Sequence, residues 1–468
     1  MKRRNSTASN AKRRRNEAGK VSHLQINYSG PSFSDLPSSI LLNILLRFSV
    51  KRIFVCKCVC KTWYDLISDP EFAKLHFNQA QVYPLLRTSG FTFLSRMIYL
   101  VQPEQDDFER NLDMRYKYNS PIKIILDSKL KLPLHNIQMV LDKDWVEGKN
   151  CMKLNMKNHK YSIVNSCNGL LCLSNPSDND PVMVCNPITG EFIDLPEVRT
   201  VKDPGLPNIQ CGFGFSPRTN QYKVIRMFTR WIGNDNFMVA EVHVLGTESW
   251  KDLGFFPKSM YKLFPTYLNG CVYWFSLVQP CSVISFDIQK ECFELISVPP
   301  LEHLNLLERV SMGVLGGELF ISEGFGLGIV DFWAMKDNGA KKSWSQIFSF
   351  QVDDDERWPY GSYQPIKYMS NGALLMFHSG KHAFICKDPE KIGFKYLKVH
   401  GLESKVEVIA HIPSFVSLKH ALSGRNVKVL NIKSRCAELK LHREAKSISI
   451  VEENRNIESD SEDRDSGV

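Results

Sequence analysis

The sequence predicts an α+β multidomain chain, in which a small N-terminal unit of three helices precedes an all-β propeller domain of about six blades. Three observations predict this fold. Apolar residues recur at helical spacing near the N-terminus, short β-rich runs separated by turn residues dominate after residue 80, and glycine-led strand motifs recur roughly every fifty residues. No helical pattern alternates with the strands, which argues against a parallel α/β fold.

Composition sets the broad class. The chain has 468 residues and 43% hydrophobic content, enough for one large or two moderate domains with a real core. It contains no run of about eighteen apolar residues, so no membrane span is expected. The basic N-terminus lacks the apolar region of a secretory signal, and the 13 cysteines are therefore expected to be reduced thiols in the cytosol or nucleus.

The helical pattern occupies residues 34 to 67. Ser34 and Asp35 can cap the first helix, and Pro37 suits its first turn. The second helix is expected from Val50 to Cys56. So short a module needs the rest of the chain or a partner to bury its apolar surface. Apolar stripes on the first and third helices contain Ile40, Leu41, Ile44, Leu45 and Phe48, and then Val59, Cys60, Trp63, Leu66 and Ile67.

This stretch resembles an F-box. The motifs that carry the resemblance are Leu36-Pro37, Ile44-Leu45, Val50-Lys51 and the run from Cys58 to Trp63. Two positions depart from the family pattern, because Ser49 replaces a usual Pro and Val55 replaces a usual Arg, and both could weaken adaptor binding. The alternative is a buried three-helix cap within a larger domain.

The resemblance implies that residues 34–80 bind a Skp-class adaptor and, through it, a cullin. Some of the residues expected at the adaptor contact must instead hold the helices together, and the sequence does not separate the two sets. The expected contact residues are Leu36, Pro37, Ile40, Ile44, Leu45, Val50, Val59, Cys60, Trp63 and Leu66.

The region from 85 to 420 shows a repeat typical of a kelch-like β-propeller. Asn168-Gly169, Asn269-Gly270, Gly316-Gly317 and Asn371-Gly372 each stand before an apolar strand, where a crowded axis is expected to require glycine. Five units are visible from about 160 to 418, and residues 85 to 150 are expected to supply a sixth.

The same half resembles the F-box-associated domain of plant F-box proteins. The strongest motifs are Asn165–Cys172, Val184–Gly190, and Gly212–Pro217 followed by Tyr222-Lys223-Val224. A pair of β-sandwiches is the alternative fold.

Charge is concentrated at the two ends. Residues 1 to 20 carry eight Lys or Arg and one Glu, which accounts for +7 of the net +9, so no basic nucleic-acid-binding face is indicated. The arm 1–30 is expected to be disordered, and a basic cluster in it resembles a nuclear import signal, the alternative being a solvated tail. That cluster is Lys12, Arg13, Arg14 and Arg15. The expected location is the nucleus, the cytoplasm or both. Residues 421–468 are expected to form a largely disordered tail, of which the last part, residues 452–468, is acidic.

The sequence shows no catalytic motif and predicts no cofactor or metal. Cys56, Cys58 and Cys60 alternate on a helix and so point in different directions, which disfavours zinc. The carboxylates of residues 353–356 lack the glycine and spacing of a calcium loop.

Together these features predict a non-catalytic substrate-recognition subunit of a Skp-cullin-F-box type ubiquitin ligase. The alternatives are a ligase-independent F-box scaffold and a propeller hydrolase. Target contact is expected in the inter-strand segments 229–237 and 352–363, although the tryptophans there could equally pack between blades. The residues in question are Arg230, Trp231, Arg357, Trp358 and Tyr360.

Overall fold

The computed structural model describes residues 36–89, 94–101, 122–124, 128–131, 162–175, 179–196, 209–232, 235–256, 265–276, 280–301, 309–324, 329–337, 342–351, 361–388, 395–399, 405–422 and 428–432. The predicted fold class is confirmed, because N-terminal helices precede an all-β propeller of six sheets, and not a pair of β-sandwiches. Within these ranges no helix is long and apolar enough to cross a membrane. The expected disordered arm 1–30, the predicted capping residues Ser34 and Asp35, and the end of the tail after residue 432 lie outside the described residues.

Four short helices come first in the described part of the chain, where the sequence indicated three. They are α1 (Ser38–Leu45), α2 (Val50–Cys56), α3 (Lys61–Ser68) and α4 (Pro70–Gln79). The additional helix begins after Asp69, whose carboxylate accepts a 2.7 Å hydrogen bond from the amide of Glu71, and Pro70 fills its first position. Helix α1 belongs to a compact unit that ends at Arg47, whereas α2 to α4 belong to the same unit as the propeller.

The strands follow in chain order. They are β1 (Tyr83–Ser89), β2 (Leu94–Leu100), β3 (Ile122–Ile124), β4 (Ser128–Lys131), β5 (Ser162–Cys167), β6 (Leu170–Ser174), β7 (Pro181–Cys185), β8 (Glu191–Asp194), β9 (Gln210–Ser216), β10 (Gln221–Ile232), β11 (Asp235–Val244), β12 (Lys251–Phe256), β13 (Thr266–Leu268), β14 (Cys271–Ser276), β15 (Ser282–Asp287), β16 (Cys292–Ser297), β17 (Val310–Leu315), β18 (Glu318–Gly324), β19 (Ile329–Asp337), β20 (Lys342–Gln351), β21 (Tyr363–Tyr368), β22 (Leu374–His378), β23 (Ala383–Lys387), β24 (Lys395–Val399), β25 (Lys405–His411) and β26 (Leu430–Asn431). A short helix, α5 (Leu418–Ala421), lies between the last two.

Each sheet forms one blade built on four antiparallel strands. Blades 1 to 5 begin at β5, β9, β13, β17 and β21, and each uses four consecutive strands. Two blades gain a fifth strand, since β26 pairs with β8 of blade 1 and β3 pairs in parallel with β24 of blade 5. Strand β26 lies within the range that the sequence assigned to a largely disordered tail.

The sixth blade joins the two ends of the propeller. Its innermost strand is β25, which pairs with β1 from Tyr83↔His411 to Ser89↔Lys405, and β2 and β4 complete the sheet. Residues 85 to 150 were expected to supply a sixth blade, and three strands of this sheet, β1, β2 and β4, lie between residues 83 and 131. The inner strand comes from the C-terminal side, because closing a propeller in this way removes its exposed sheet edge.

Both faces of the inner strands are buried, because the core lies between neighbouring blades. All five residues of β6 are buried, as are all five of β22, so these strands are apolar without alternation. Indole N–H groups also join adjacent blades: Trp250 donates to Pro196 O at 3.1 Å, and Trp274 donates to Cys211 O at 2.9 Å.

The repeated glycines lie in tight turns between strands. Asn168 and Gly169 have φ of 48° and 79°, and Asn269 and Gly270 have φ of 48° and 82°, as a type I′ hairpin turn requires. These turns connect the first and second strands of a blade, so the apolar strand after each glycine is the second strand. A Cβ on Gly270 would be 3.8 Å from its nearest neighbour, which shows that backbone conformation, not space, selects glycine there.

Candidate functional site

Helix α1 presents some of the expected adaptor residues and buries another. Pro37 and Ile40 are exposed, the latter by 47%, while Leu36 and Ile44 are half-buried. Leu45 is fully buried and therefore packs inside the protein instead of presenting its side chain to a partner. The apolar stripe thus divides into a partner-accessible part and a structural part.

The candidates on α2 and α3 divide in the same way. Val50 is buried and is a packing residue, whereas Val59 and Cys60 are exposed and Trp63 and Leu66 are half-buried. Val59 precedes α3 instead of lying on it, because that helix begins one residue after Cys60.

The two departures from the F-box pattern have different structural consequences. Ser49 is the N-cap residue of α2, and its hydroxyl accepts a hydrogen bond from the amide of Arg52 at 3.4 Å. Serine therefore starts this helix by capping it, where proline would start it by fixing φ. Val55 is 63% exposed, so having valine here instead of the usual arginine alters the chemistry of the surface and not the packing of the core.

The strand order defines two opposite faces of the propeller. The helix face carries the turns from first to second strand, such as Asn168-Gly169, together with the start of β1 and the end of β25. The distal face carries the turns from second to third strand and the connections between blades. Helix α4 ends at Gln79 and β1 begins at Tyr83, so helices α2 to α4 enter the propeller at the helix face.

One aromatic side chain from the propeller side contacts two of the helices. The ring of Phe415 lies 5.7 Å from that of Phe54 in α2, and 6.2 Å and 5.0 Å from those of Phe72 and His76 in α4. Burial lowers the pKa of His76 to about 4, so its ring is neutral in this apolar contact at physiological pH.

The expected target-contact segment 229–237 is a β-hairpin and not an irregular loop. Thr229–Ile232 ends β10 and pairs with Asp235–Met238 of β11, with Trp231 opposite Asn236. Strand β10 has 12 residues and β14 of the next blade has 6. Residues 228–232 of β10 stay paired with β11 beyond the last pair with β9, Met227↔Gln210, so the hairpin continues past the inner strand towards the distal face.

Arg230 is held on this hairpin by two carboxylates. Its half-exposed guanidinium lies 3.5 Å from Glu241 and 3.6 Å from Asp252. Gln351 ends β20 and Tyr363 begins β21 on the distal side of blades 4 and 5, so the described strand ends that flank the segment 352–363 face the same way as the hairpin. Arg357, Trp358 and Tyr360 themselves lie outside the described residues.

Two exposed phenylalanines on the same blade were not among the predicted site residues. Phe237 and Phe255 are 39% and 67% exposed, and their ring centroids are 5.2 Å apart. Cross-strand pairing places them on the side of the sheet that carries Arg230. Both lie in short apolar runs without alternation, Phe237-Met238-Val239 and Phe255-Phe256, so the sequence holds no signal that separates the exposed rings from buried neighbours.

A buried ion pair lies beneath this surface. Arg226 is fully buried, contacts Glu241 of the same blade, and reaches Asp180 in the second-to-third turn of blade 1 at 3.0 Å. Its guanidinium also lies 4.5 Å from the Trp250 ring centroid. Because these contacts join blades 1 and 2, Arg226 holds the hairpin in place.

Groups with potential chemistry are arranged for packing. In the part of the chain that the structure describes, no three His, Cys, Asp or Glu side chains form a group that could hold a metal ion. Cys56 is buried, and Cys58 and Cys60 are exposed. Ser166 Oγ lies 2.9 Å from His411 Nδ1, and burial lowers the pKa of that histidine to about 3.

Two family models match this architecture. The F-box associated beta propeller domain matches residues 135–413, and the F-box domain matches residues 33–75. The F-box protein At3g07870 of Arabidopsis thaliana is 24% identical over 363 residues, which cover 68% of this chain and 86% of that protein. The F-box protein CPR1 of the same organism is 22% identical over 414 residues, which cover 81% and 88%.

A helical docking unit followed by a propeller with a projecting hairpin defines a modular protein-interaction subunit. More particularly, the chain belongs to the F-box-associated β-propeller family and is a plant F-box protein of that kind, which confirms both resemblances. The F-box implies binding to a Skp-type adaptor in general, and the pair of domains supports substrate recognition in ubiquitin ligases as its general role.

Proposed function

We propose that this protein is the substrate-recognition subunit of a Skp-cullin-F-box ubiquitin ligase. Its helices bind a Skp-class adaptor and thereby a cullin, and the distal face of its propeller binds the target protein. The observation that carries the proposal is the presence of two exposed apolar surfaces on different elements, one on the helices and one on the hairpin of blade 2.

The mechanism is proximity. A target bound at the distal face has its lysines at a high effective concentration near the ubiquitin thioester, and the protein itself contributes no reacting group. Exposed Ile40 and Val59 are suited to the adaptor contact, because burying them removes apolar surface from water. Phe237, Phe255 and Arg230 are suited to the target contact, since aromatic and arginine side chains dominate the energy of many interfaces.

The test is affinity purification of the full chain from plant cells treated with a proteasome inhibitor. The adaptor and cullin should be recovered with the wild type, and one set of proteins should be lost with Phe237→Ala/Phe255→Ala while adaptor recovery is unchanged. Recovery of adaptor without cullin would support a ligase-independent scaffold instead. An unchanged set of captured proteins would disprove the assignment of the target surface.

We further propose that the protein acts in the nucleus. The support is the basic cluster Lys12-Arg13-Arg14-Arg15, which lies outside the described residues.

A further inference from the structure

Residues 412–418, here called the strap, connect the innermost strand of blade 6 to blade 1 across the helix face. The strap follows β25 and leads into α5. It is the segment that carries Phe415, and its contacts with the propeller place that ring beside the helices.

Blade 1 holds the strap by buried hydrogen bonds. Asn186 Nδ2 donates to the carbonyl oxygens of Ser414 at 2.9 Å and Val416 at 2.8 Å, and both Asn186 and Ser414 are fully buried. The carboxylate of Glu191 accepts from the amide of Leu418 at 2.7 Å. A buried side-chain amide with its donors satisfied is a rigid attachment, because breaking it would leave polar groups unpaired.

Close packing also indicates that the strap is rigidly attached to blade 1. A Cβ on Gly169 would lie 2.2 Å from Cβ of Ser414, so the strap lies directly on the backbone of the first turn of blade 1. Only a residue without a side chain allows this approach.

The strap directs Phe415 into the helices. The ring is buried, as are its partners Phe72 and His76. The ammonium group of Lys57 lies 5.9 Å from the ring centroid. Two helices that are separate in sequence therefore share one aromatic contact supplied from residue 415.

We propose that Phe415 is a positioning residue, which fixes helices α2 to α4 against the propeller so that the distal face is held at a set orientation to these adaptor-binding helices. The use of that orientation in ubiquitin transfer rests on the proposed function above. The docking of the helices by Phe415 does not depend on the proposed function.

The first experiment measures amide hydrogen exchange of the full chain by mass spectrometry. Phe415→Ala should speed exchange in residues 50–79 by about tenfold or more and leave residues 310–351 unchanged. Phe350→Ala is the matched control, since Phe350 and Phe415 are both 7% exposed but Phe350 packs between blades 4 and 5. It should affect residues 310–385 and spare the helices. Phe415→Leu should restore most of the protection and serves if the alanine variant fails to fold.

The second experiment maps ubiquitin on the chain's own lysines after reconstitution with adaptor, cullin and a charged conjugating enzyme. The wild type should modify a restricted set of lysines. Phe415→Ala should spread modification over more lysines at equal adaptor affinity, with the restricted pattern recovered in Phe415→Leu. Phe350→Ala, which loosens the propeller without loosening the helices, should keep the wild-type pattern.

Unchanged exchange in residues 50–79 of Phe415→Ala would overturn the docking role, and an unchanged lysine map would overturn the positioning role. If the wild type transfers no ubiquitin, the proposed function fails, and the exchange data alone then decide whether Phe415 docks the helices.

Discussion

The division of the α1 stripe leads to a quantitative prediction for Ile40→Ala. Fully burying an isoleucine side chain stabilises by about 1.5–3 kcal/mol relative to full exposure. Because 47% of Ile40 is exposed, covering that part in the adaptor interface is worth about 0.7–1.4 kcal/mol. Removing the side chain should weaken adaptor binding by about 3- to 10-fold, since 1.4 kcal/mol corresponds to a factor of ten.

Leu45→Ala is the matched control on the same helix. Leu45 is fully buried, so its truncation should cost about 2–5 kcal/mol of folding stability through lost contacts and a cavity. Ile40→Ala should leave the melting temperature nearly unchanged. Calorimetric titration of the full chain with a Skp-class adaptor, together with thermal melts, separates the two effects. Wild-type affinity in Ile40→Ala, or early melting of that variant, would refute the reasoning.

The ion pairs, the histidines and the basic arm each yield a prediction. Arg226→Met should destabilise the propeller by about 3–5 kcal/mol, because it leaves Glu241 buried beside a partly exposed Arg230. Arg218 is exposed, so the control variant Arg218→Met should change the stability little. Equal urea midpoints for the two variants would contradict this prediction. Burial lowers the folded-state pKa of three histidines below the ordinary 6.5. Between pH 6.5 and about 4 the unfolded chain therefore binds more protons than the folded protein, so the folding stability should fall as the pH drops through this range. Melts between pH 8 and 5 test this for His76, His378 and His411, and a rise in stability on acidification would disprove it. Deleting residues 1 to 20 should shift a fluorescent fusion from nucleus to cytoplasm, and an unaltered distribution would mean that the arm is only a tail.

Local features were predictable from the sequence, and long-range ones were not. Helix α2 has the bounds expected from its apolar spacing, and the apolar strands expected after Gly169 and Gly270 are present, because periodicity and turn residues act within a few residues. The origin of the inner strand of blade 6 depends on pairing between distant segments, which leaves no local pattern.

The accessibility of the candidate site residues could likewise not be predicted from local sequence patterns. Ile40 and Leu45 lie on one apolar stripe, yet one is half exposed and the other is buried. Spacing shows that a stripe exists, but the packing of the rest of the fold decides which of its members remains accessible. The length of the β10–β11 hairpin likewise matters only in comparison with its neighbours.

The closure of blade 6 has a consequence for synthesis. Arg87 of β1 and Glu407 of β25 form a hydrogen-bonded ion pair across 320 residues of chain. At about 5–20 residues per second, roughly 16–64 s separate the emergence of the two strands from the ribosome. During that interval β1 has one unpaired edge, which other chains can join. We expect a nascent propeller to need chaperone protection on this edge until its last inner strand arrives.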